Sequence, residues 1–411
     1  MHQFAFEKRF LQAQIIALVS MKQIFDRVIN QKAPLNFDYQ ATTPCSHEVV
    51  AAMEPYWYEL WGNASSGYSR ASLHASAALS LAREQLATCL GIKPERLIFT
   101  SGATEANNLA LLGYARARSL SMRRPGHLIT LATEHSSVID PLRQLQKEGF
   151  QLTEMKPSSD GILLPEKLEE AFQDDTILVS IMMANNEIGV IQPLKEFSEL
   201  CKKRGVILHS DASQAFGQFS FDIDQLEIDF LSFSGHKIYG PKGIGALVIR
   251  NELPIIPLQW GGGQEQGIRS GTVPIPLVIG MAKAAELAFN NLNVRQERIS
   301  SLRNEFWNRL SEKIPDLIIN GSMEHRLPNN LNFTILGVRG SMLQNSLRPL
   351  LNCSSGSACS QGKPSHVLRA IGRTKEEAEA SLRISIGRET TLEEVDSAVD
   401  ILCDAISRLR E

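Results

Sequence analysis

Between residues 97 and 249 the chain repeats one pattern: a short run of mostly apolar residues, a polar or glycine-containing tip, then a stretch long enough for a helix. The runs lie at 97–100, 127–131, 176–183, 206–211, 229–234 and 245–249, with helix-length segments such as 193–204 between several of them. Runs without polar alternation are expected where both faces of a strand are covered. Their alternation with helices predicts an α/β architecture with a mainly parallel sheet. In such sheets ligands sit at the carboxyl ends of the strands. The polar tips at 100–104, 133–135, 185–187, 211–214 and 234–237 all fall there. Past residue 290 the texture changes to long helical segments (295–314, 375–381, 392–409) with short strands near 331–335 and 382–386, which predicts a smaller α+β domain.

A chain of 411 residues is long enough for two domains. Lys and Arg total 42 against 45 Asp and Glu, a net charge of −3, which excludes a general polyanion binder that works by bulk charge. No nucleic-acid or membrane partner is expected. Six cysteines are too few for a disulfide scaffold, and none forms a Cys-x-x-Cys pair. A cytoplasmic, reduced protein without a metal of its own is therefore expected. In residues 1–34 the longest apolar run is Ile15–Val19, too short to span a bilayer. Its mixed-charge flank does not resemble a signal peptide. This segment is expected to be a peripheral extension, and Met21 is an alternative start.

Each tip has a chemical reading and a plain one. Lys237 follows Ser234-Gly235-His236 and could form a Schiff base with an aldehyde; most lysines are simply solvated. Asp211 could pair with a protonated ring nitrogen or merely cap a helix. The strand–turn–helix segment 101–108, with Thr104 near the helix start, could cradle a phosphate or be an ordinary cap; it is not a Walker motif. His135 could stack on an aromatic cofactor or be a hydrogen-bonded loop histidine. Cys359 lies in the small-residue stretch 353–360, which suits a nucleophile that must travel to its substrate. Cys353 and Cys359, six apart, could instead form a disulfide or half a metal site, which a reducing compartment and the lack of suitably spaced ligands disfavour.

Together these segments resemble the NifS/IscS-type cysteine desulfurases, class-V aminotransferase relatives of pyridoxal-phosphate fold type I. The similarity runs over residues 35–410, through 37–44, 100–105, 133–135, 185–189, 211–214, 232–243, 269–272 and 354–359. It implies a large domain (45–292) with a mainly parallel seven-stranded sheet and a smaller α+β domain (35–44 and 293–411). It implies pyridoxal 5'-phosphate as cofactor, with Lys237 as the Schiff-base lysine and His135 stacked on the ring. Asp211 would face the ring nitrogen and Gln214 the phenolic oxygen, while Ala103, Thr104, Ser234 and His236 hold the phosphate. Thr272 would reach the phosphate of a neighbouring subunit, so a homodimer is implied. Asn186 and Arg383 would hold the substrate carboxylate, Asn186 beside the cofactor. Cys359 would accept sulfur from L-cysteine, leaving alanine and a persulfide. The sulfur would pass to an acceptor protein, for iron–sulfur cluster assembly or tRNA thiolation, and with such a partner Cys359 would also ligate a cluster transiently. The alternative is a pyridoxal-phosphate cysteine or selenocysteine lyase that does not use Cys359.

Overall fold

The computed structural model describes residues 33–250, 252–355 and 364–411. The expected extension, save Ala33 and Pro34, and the expected acceptor Cys359 lie outside them.

The main sheet has seven strands: β1 (Leu97–Thr100), β2 (His127–Leu131), β3 (Gln151–Met155), β4 (Thr176–Ser180), β5 (Ile207–Asp211), β6 (Phe230–Ser234) and β7 (Gly245–Ile249). Their order is β1-β7-β6-β5-β4-β2-β3. All neighbours are parallel except β7, which runs antiparallel to both β1 and β6. The mainly parallel sheet expected from the sequence pattern is thus present, with the seven strands that the resemblance implied. Every residue of β1, β2, β4, β6 and β7 is buried. Helices α1 (Arg70–Leu90), α2 (Ala103–Asn108), α3 (Ser136–Lys147) and α4 (Ile275–Phe289) supply the cover. One face packs on α1 and α4 through Ala82, Leu86, Val278 and Met281. The other packs on α3 and the helical segment from α2 to Ala115, through Val138, Leu142, Leu109 and Ala115. A strand between two apolar layers needs no polar side, hence the unbroken apolar runs.

The second body is a four-stranded antiparallel sheet, β8 (Leu317–Ile319), β9 (Asn330–Ile335), β10 (Ser354–Ser355) and β11 (Ser381–Ser385), in the order β10-β11-β9-β8. Helix α5 (Leu292–Lys313), the short α6 (His366–Ala370) and α7 (Leu392–Arg410) belong to it, with two further short helices at Gly340–Leu347 and Lys375–Glu379. Thr391 and Glu394 form a capping box at the start of α7, acidic residues fill its first turn, and Arg408 and Arg410 its last, which suits the helix dipole. Its buried Val395, Ala398, Val399, Leu402 and Ile406 recur at helical spacing and pack with Phe306 of α5 and Phe333 of β9 in a core distinct from the main one. Phe37, far away in sequence, joins this core, and Leu35–Asn36 pairs in parallel with Leu351–Asn352. Among the described residues no helix is long and apolar enough to cross a membrane.

One ion pair fixes the loop at 261–274 against the sheet. Glu265 is buried and binds Arg83 at 2.6 Å and the backbone N–H of Phe99 at 2.7 Å. Arg83 also stacks over the Phe99 ring, 4.6 Å from its centroid. Glu265→Ala leaves the guanidinium without its counter-charge, its Leu97 carbonyl partner remaining, and the Phe99 N–H without this acceptor, so unfolding in urea should show a loss of about 3 kcal/mol. A loss below about 1 kcal/mol would mean that the pair does not anchor the loop.

Candidate active site

Two close approaches shape the strand ends. A Cβ on Gly245 would lie 2.6 Å from both the Gly102 Cα and the Phe233 carbonyl oxygen, so only glycine lets the turn before α2 approach β6. Gly189, at φ +70°, turns the segment 185–189 back against Asn330, where a Cβ would meet the side chain at 2.3 Å. The strand ends and the segment 40–42 enclose a cavity of about 560 Å³. It is lined by Ala103, Thr104, His135, Asn186, Asp211, Gln214, Ser234, His236, Lys237 and Arg383, which the sequence reading named, and also by Gln40, Glu187 and Lys242. Thr272 does not line it; it is exposed on the outer loop.

Lys237 sits just past β6, in a short 3₁₀ turn. Its Nζ donates to the carbonyls of Gln40 (2.6 Å) and Ala41 (2.8 Å), so it is aimed into the cavity rather than at bulk water. The segment 40–43 is itself clamped to this turn: Thr42 Oγ1 meets His236 Nδ1 at 3.0 Å, and the Thr43 hydroxyl donates to the His236 carbonyl. Gln40 and Gln214 exchange hydrogen bonds at 3.3 and 3.2 Å. Burial and the cations Lys237 and Lys242 push His236 down to about 4, so it is neutral.

Asp211 ends β5. Its Oδ1 accepts from the Ser213 N–H at 2.8 Å and its Oδ2 from the Asn107 amide at 2.7 Å. No regular helix begins after it; the carboxylate closes a tight turn and keeps one edge toward the cavity. His135 caps α3, its Nδ1 accepting from the Ser137 N–H at 3.1 Å. Burial, with further contributions from Lys237 and His366, lowers its pKa against the opposing pull of Asp211. Arg383, on β11, pairs with Asp38 at 2.6 Å and donates to the Asn186 carbonyl at 2.7 Å. Its Nε and the Asn186 Oδ1 are buried without a partner.

These orphaned atoms show what the cavity can hold. An unsatisfied guanidinium N–H beside an unsatisfied amide oxygen fits a ligand with both an anionic and a donor group, such as an amino acid. A lysine amine, an aspartate edge and a neutral histidine around the same space fit an aldehyde-bearing pyridine ring. The turn between Ser101 and Thr104, with Ser234 and His236, fits its phosphate. Glu187, Gln40, Asn107 and Asp38 lie within the segments 185–189, 37–44 and 101–108, but the sequence alone assigns them no role. Partial burial raises the pKa of Glu187, which accepts from the Ser365 hydroxyl at the start of α6.

Below the cavity floor a polar row crosses the sheet: His209 lies between Ser180 Oγ at 2.8 Å and Ser232 Oγ at 3.2 Å, and all three are fully buried. Burial pushes His209 down to about 4. A histidine held neutral in the fold binds fewer protons than in the unfolded chain between pH 6.5 and about 4. Its contribution is therefore complete above pH 6.5 and is lost as pH falls through that window, by up to a few kcal/mol. Wild type should lose more stability between pH 7 and pH 5 than His209→Gln in urea unfolding; parallel losses would contradict this.

Residues 35–398 match the class-V aminotransferase family. The cysteine desulfurase IscS of Rickettsia felis is 43% identical over 386 residues, 93% of each chain. That of Klebsiella pneumoniae is 44% identical over 92% of this chain and 94% of its own. Among solved structures, a NifS-like protein superposes with a TM-score of 0.85 at 35% identity, over 92% of this chain and all of its own. SspA in complex with cysteine superposes with a TM-score of 0.76 at 35% identity, over 87% of this chain and 99% of its own. With a fold type I sheet and a cavity built from the expected strand ends, the chain belongs to the class-V aminotransferase family, in its IscS/NifS cysteine desulfurase branch.

Proposed function

We propose that the protein is a cysteine desulfurase that converts L-cysteine and the Cys359 thiol into L-alanine and a Cys359 persulfide. The observation that carries this reading is the convergence of Lys237, Asp211, His135 and Arg383 on one cavity. The cofactor is pyridoxal 5'-phosphate, which when bound supplies an aldehyde for the substrate amine and a ring that draws electrons from the substrate α-carbon. Lys237 anchors it and then moves the α-proton on Nζ. Asp211 would face the ring nitrogen, His135 would stack on the ring, and Gln214 would bond the phenolic oxygen. The Ala103 backbone, Thr104, Ser234 and His236 hold the phosphate. Arg383 Nε and the Asn186 amide receive the substrate's polar groups and fix its orientation, with Asn186 also beside the ring. The Cys359 thiolate attacks the substrate sulfur. The carbon–sulfur bond breaks and a sulfur–sulfur bond forms, so sulfur is transferred without an external oxidant.

The described cysteines support assigning the acceptor role to Cys359. Burial raises the thiol pKa at Cys45, Cys89, Cys201, Cys353 and Cys403, to about 11 at Cys89 and about 12 at Cys201 and Cys353, so none is a ready thiolate at neutral pH.

We read the division as a cofactor-binding domain at 45–292 and a small domain of 35–44 with 293–411, in keeping with the separate cores. The working form is a homodimer, a reading favoured by the large exposed side chains Trp57, Trp61, Tyr68 and Trp260. Thr272, out on its loop, would reach the partner's phosphate site. The sulfur then passes to an acceptor protein, an iron–sulfur scaffold or a tRNA-thiolating protein, in the cytoplasm, where thiols stay reduced. Product analysis tests the reading. Loaded protein given L-cysteine should release alanine in step with sulfane sulfur; pyruvate with free sulfide would contradict it.

A further inference from the structure

Asp211 and His135 are joined by two side chains to which the reaction above assigns nothing, Asn107 behind the cavity and Ser137 on its wall. Asn107, fully buried on α2, has two amide hydrogens. One goes to Asp211 Oδ2 at 2.7 Å and the other to Ser137 Oγ at 2.9 Å. The orientation of this amide follows from chemistry, because the opposite one would set its oxygen against the Asp211 carboxylate. Ser137 Oγ lies 2.8 Å from His135 Nδ1. Having accepted from Asn107, the hydroxyl turns its own proton toward that nitrogen. The Ser137 backbone N–H donates to the same atom at 3.1 Å. Nδ1 therefore accepts two hydrogen bonds and carries no proton, and the neutral ring keeps its proton on Nε2.

We infer that Asn107 and Ser137 are positioning residues: a directed chain of hydrogen bonds from Asp211 that holds His135 as the neutral Nε2–H imidazole and links the groups at the ring nitrogen and at the ring face. The link to the cofactor rests on the proposed function; the bonds themselves do not. The charged and titratable groups facing His135 are Asp211 at the end of β5, Lys237 after β6, His366 on α6 and Asp140 on its own helix. All four remain in the variants below, so a change between variants reports the hydroxyl bond. Removing a donor from Nδ1 weakens the neutral form, so the titration midpoint must rise. The backbone N–H remains, so the rise is that of one bond.

The test is a ¹⁵N-histidine NMR titration of the full chain, with and without cofactor, His135 being assigned by its absence in His135→Gln. Ser137→Ala should raise the His135 midpoint by roughly half to one pH unit, the size of one neutral hydrogen bond. Asn107→Ala should raise it too, because the hydroxyl is then free to turn away. The double variant should exceed neither single one by much, since both break the same chain. Ser137→Thr, which keeps the hydroxyl, should restore the midpoint. An unchanged midpoint in Ser137→Ala, or effects that simply add in the double variant, would overturn the inference. If Asn107→Ala does not fold, the Ser137 pair decides alone. The cofactor-free titration keeps a failure of the proposed function, visible only in the loaded protein, apart from a failure of this chain of bonds.

Discussion

Replacing Lys237 by alanine is expected to lower alanine formation from L-cysteine by at least about a thousandfold, within the range of a lost general acid–base group, and to abolish covalent retention of the cofactor. The expectation follows from where the amine sits. Nζ is held between the Gln40 and Ala41 carbonyls, close to the strand end on which the cofactor and substrate groups converge. No other described lysine is so placed: Lys242 lines the same cavity, but beyond the turn. Lys242→Ala should therefore weaken cofactor binding without removing the chemistry. The two variants are separated by alanine quantitation and by the absorbance of the protein after gel filtration. Comparable rates for Lys237→Ala and wild type would exclude Lys237 from proton transfer.

Cys359→Ser is expected to bring persulfide formation to background, because a serine hydroxyl is not ionised at neutral pH and cannot accept the sulfur. Cys353→Ser is the informative contrast. Cys353 lies six residues earlier, but it packs against the core of the small domain and burial pushes its thiol up to about 12. Its replacement should leave the rate within about twofold, because Cys353 does not line the cavity. If Cys353→Ser abolished sulfur transfer and Cys359→Ser did not, the acceptor would be misassigned. The disulfide and metal alternatives for this pair gain nothing from a half-buried Cys353 packed among apolar side chains.

Much of this molecule was legible before its structure. Strands covered on both faces write themselves as unbroken apolar runs, and the runs at 97–100, 127–131, 229–234 and 245–249 coincide with strands to within a residue. Strand β3, Gln151–Met155, leaves no apolar run because it is a half-exposed edge strand, polar at Gln151, Thr153 and Glu154. The run at 176–183 overshoots: the strand ends at Ser180, and of the next three residues Met182 lines the cavity, its N–H donating to the buried Glu134 carboxyl, while Ile181 and Met183 stay buried in the main core. In the site, strand tips announced Lys237, Asp211 and His135. Asp38 and Gln40 could not be assigned roles from spacing, since they meet Arg383 and Lys237 across 345 and 197 residues of chain. Asn107 and Ser137 were equally silent: a buried amide and a helix-start serine are common, and only their alignment between an aspartate and a histidine gives them meaning.

The most direct test of sulfur transfer is the intact mass of the full chain after brief exposure to L-cysteine, followed by peptide mapping under non-reducing conditions. The account predicts a single added sulfur atom on the peptide that contains Cys359, removed by a thiol reductant and absent from both Lys237→Ala and Cys359→Ser. An unmodified chain that still turns over L-cysteine, or sulfur carried on another cysteine, would contradict it.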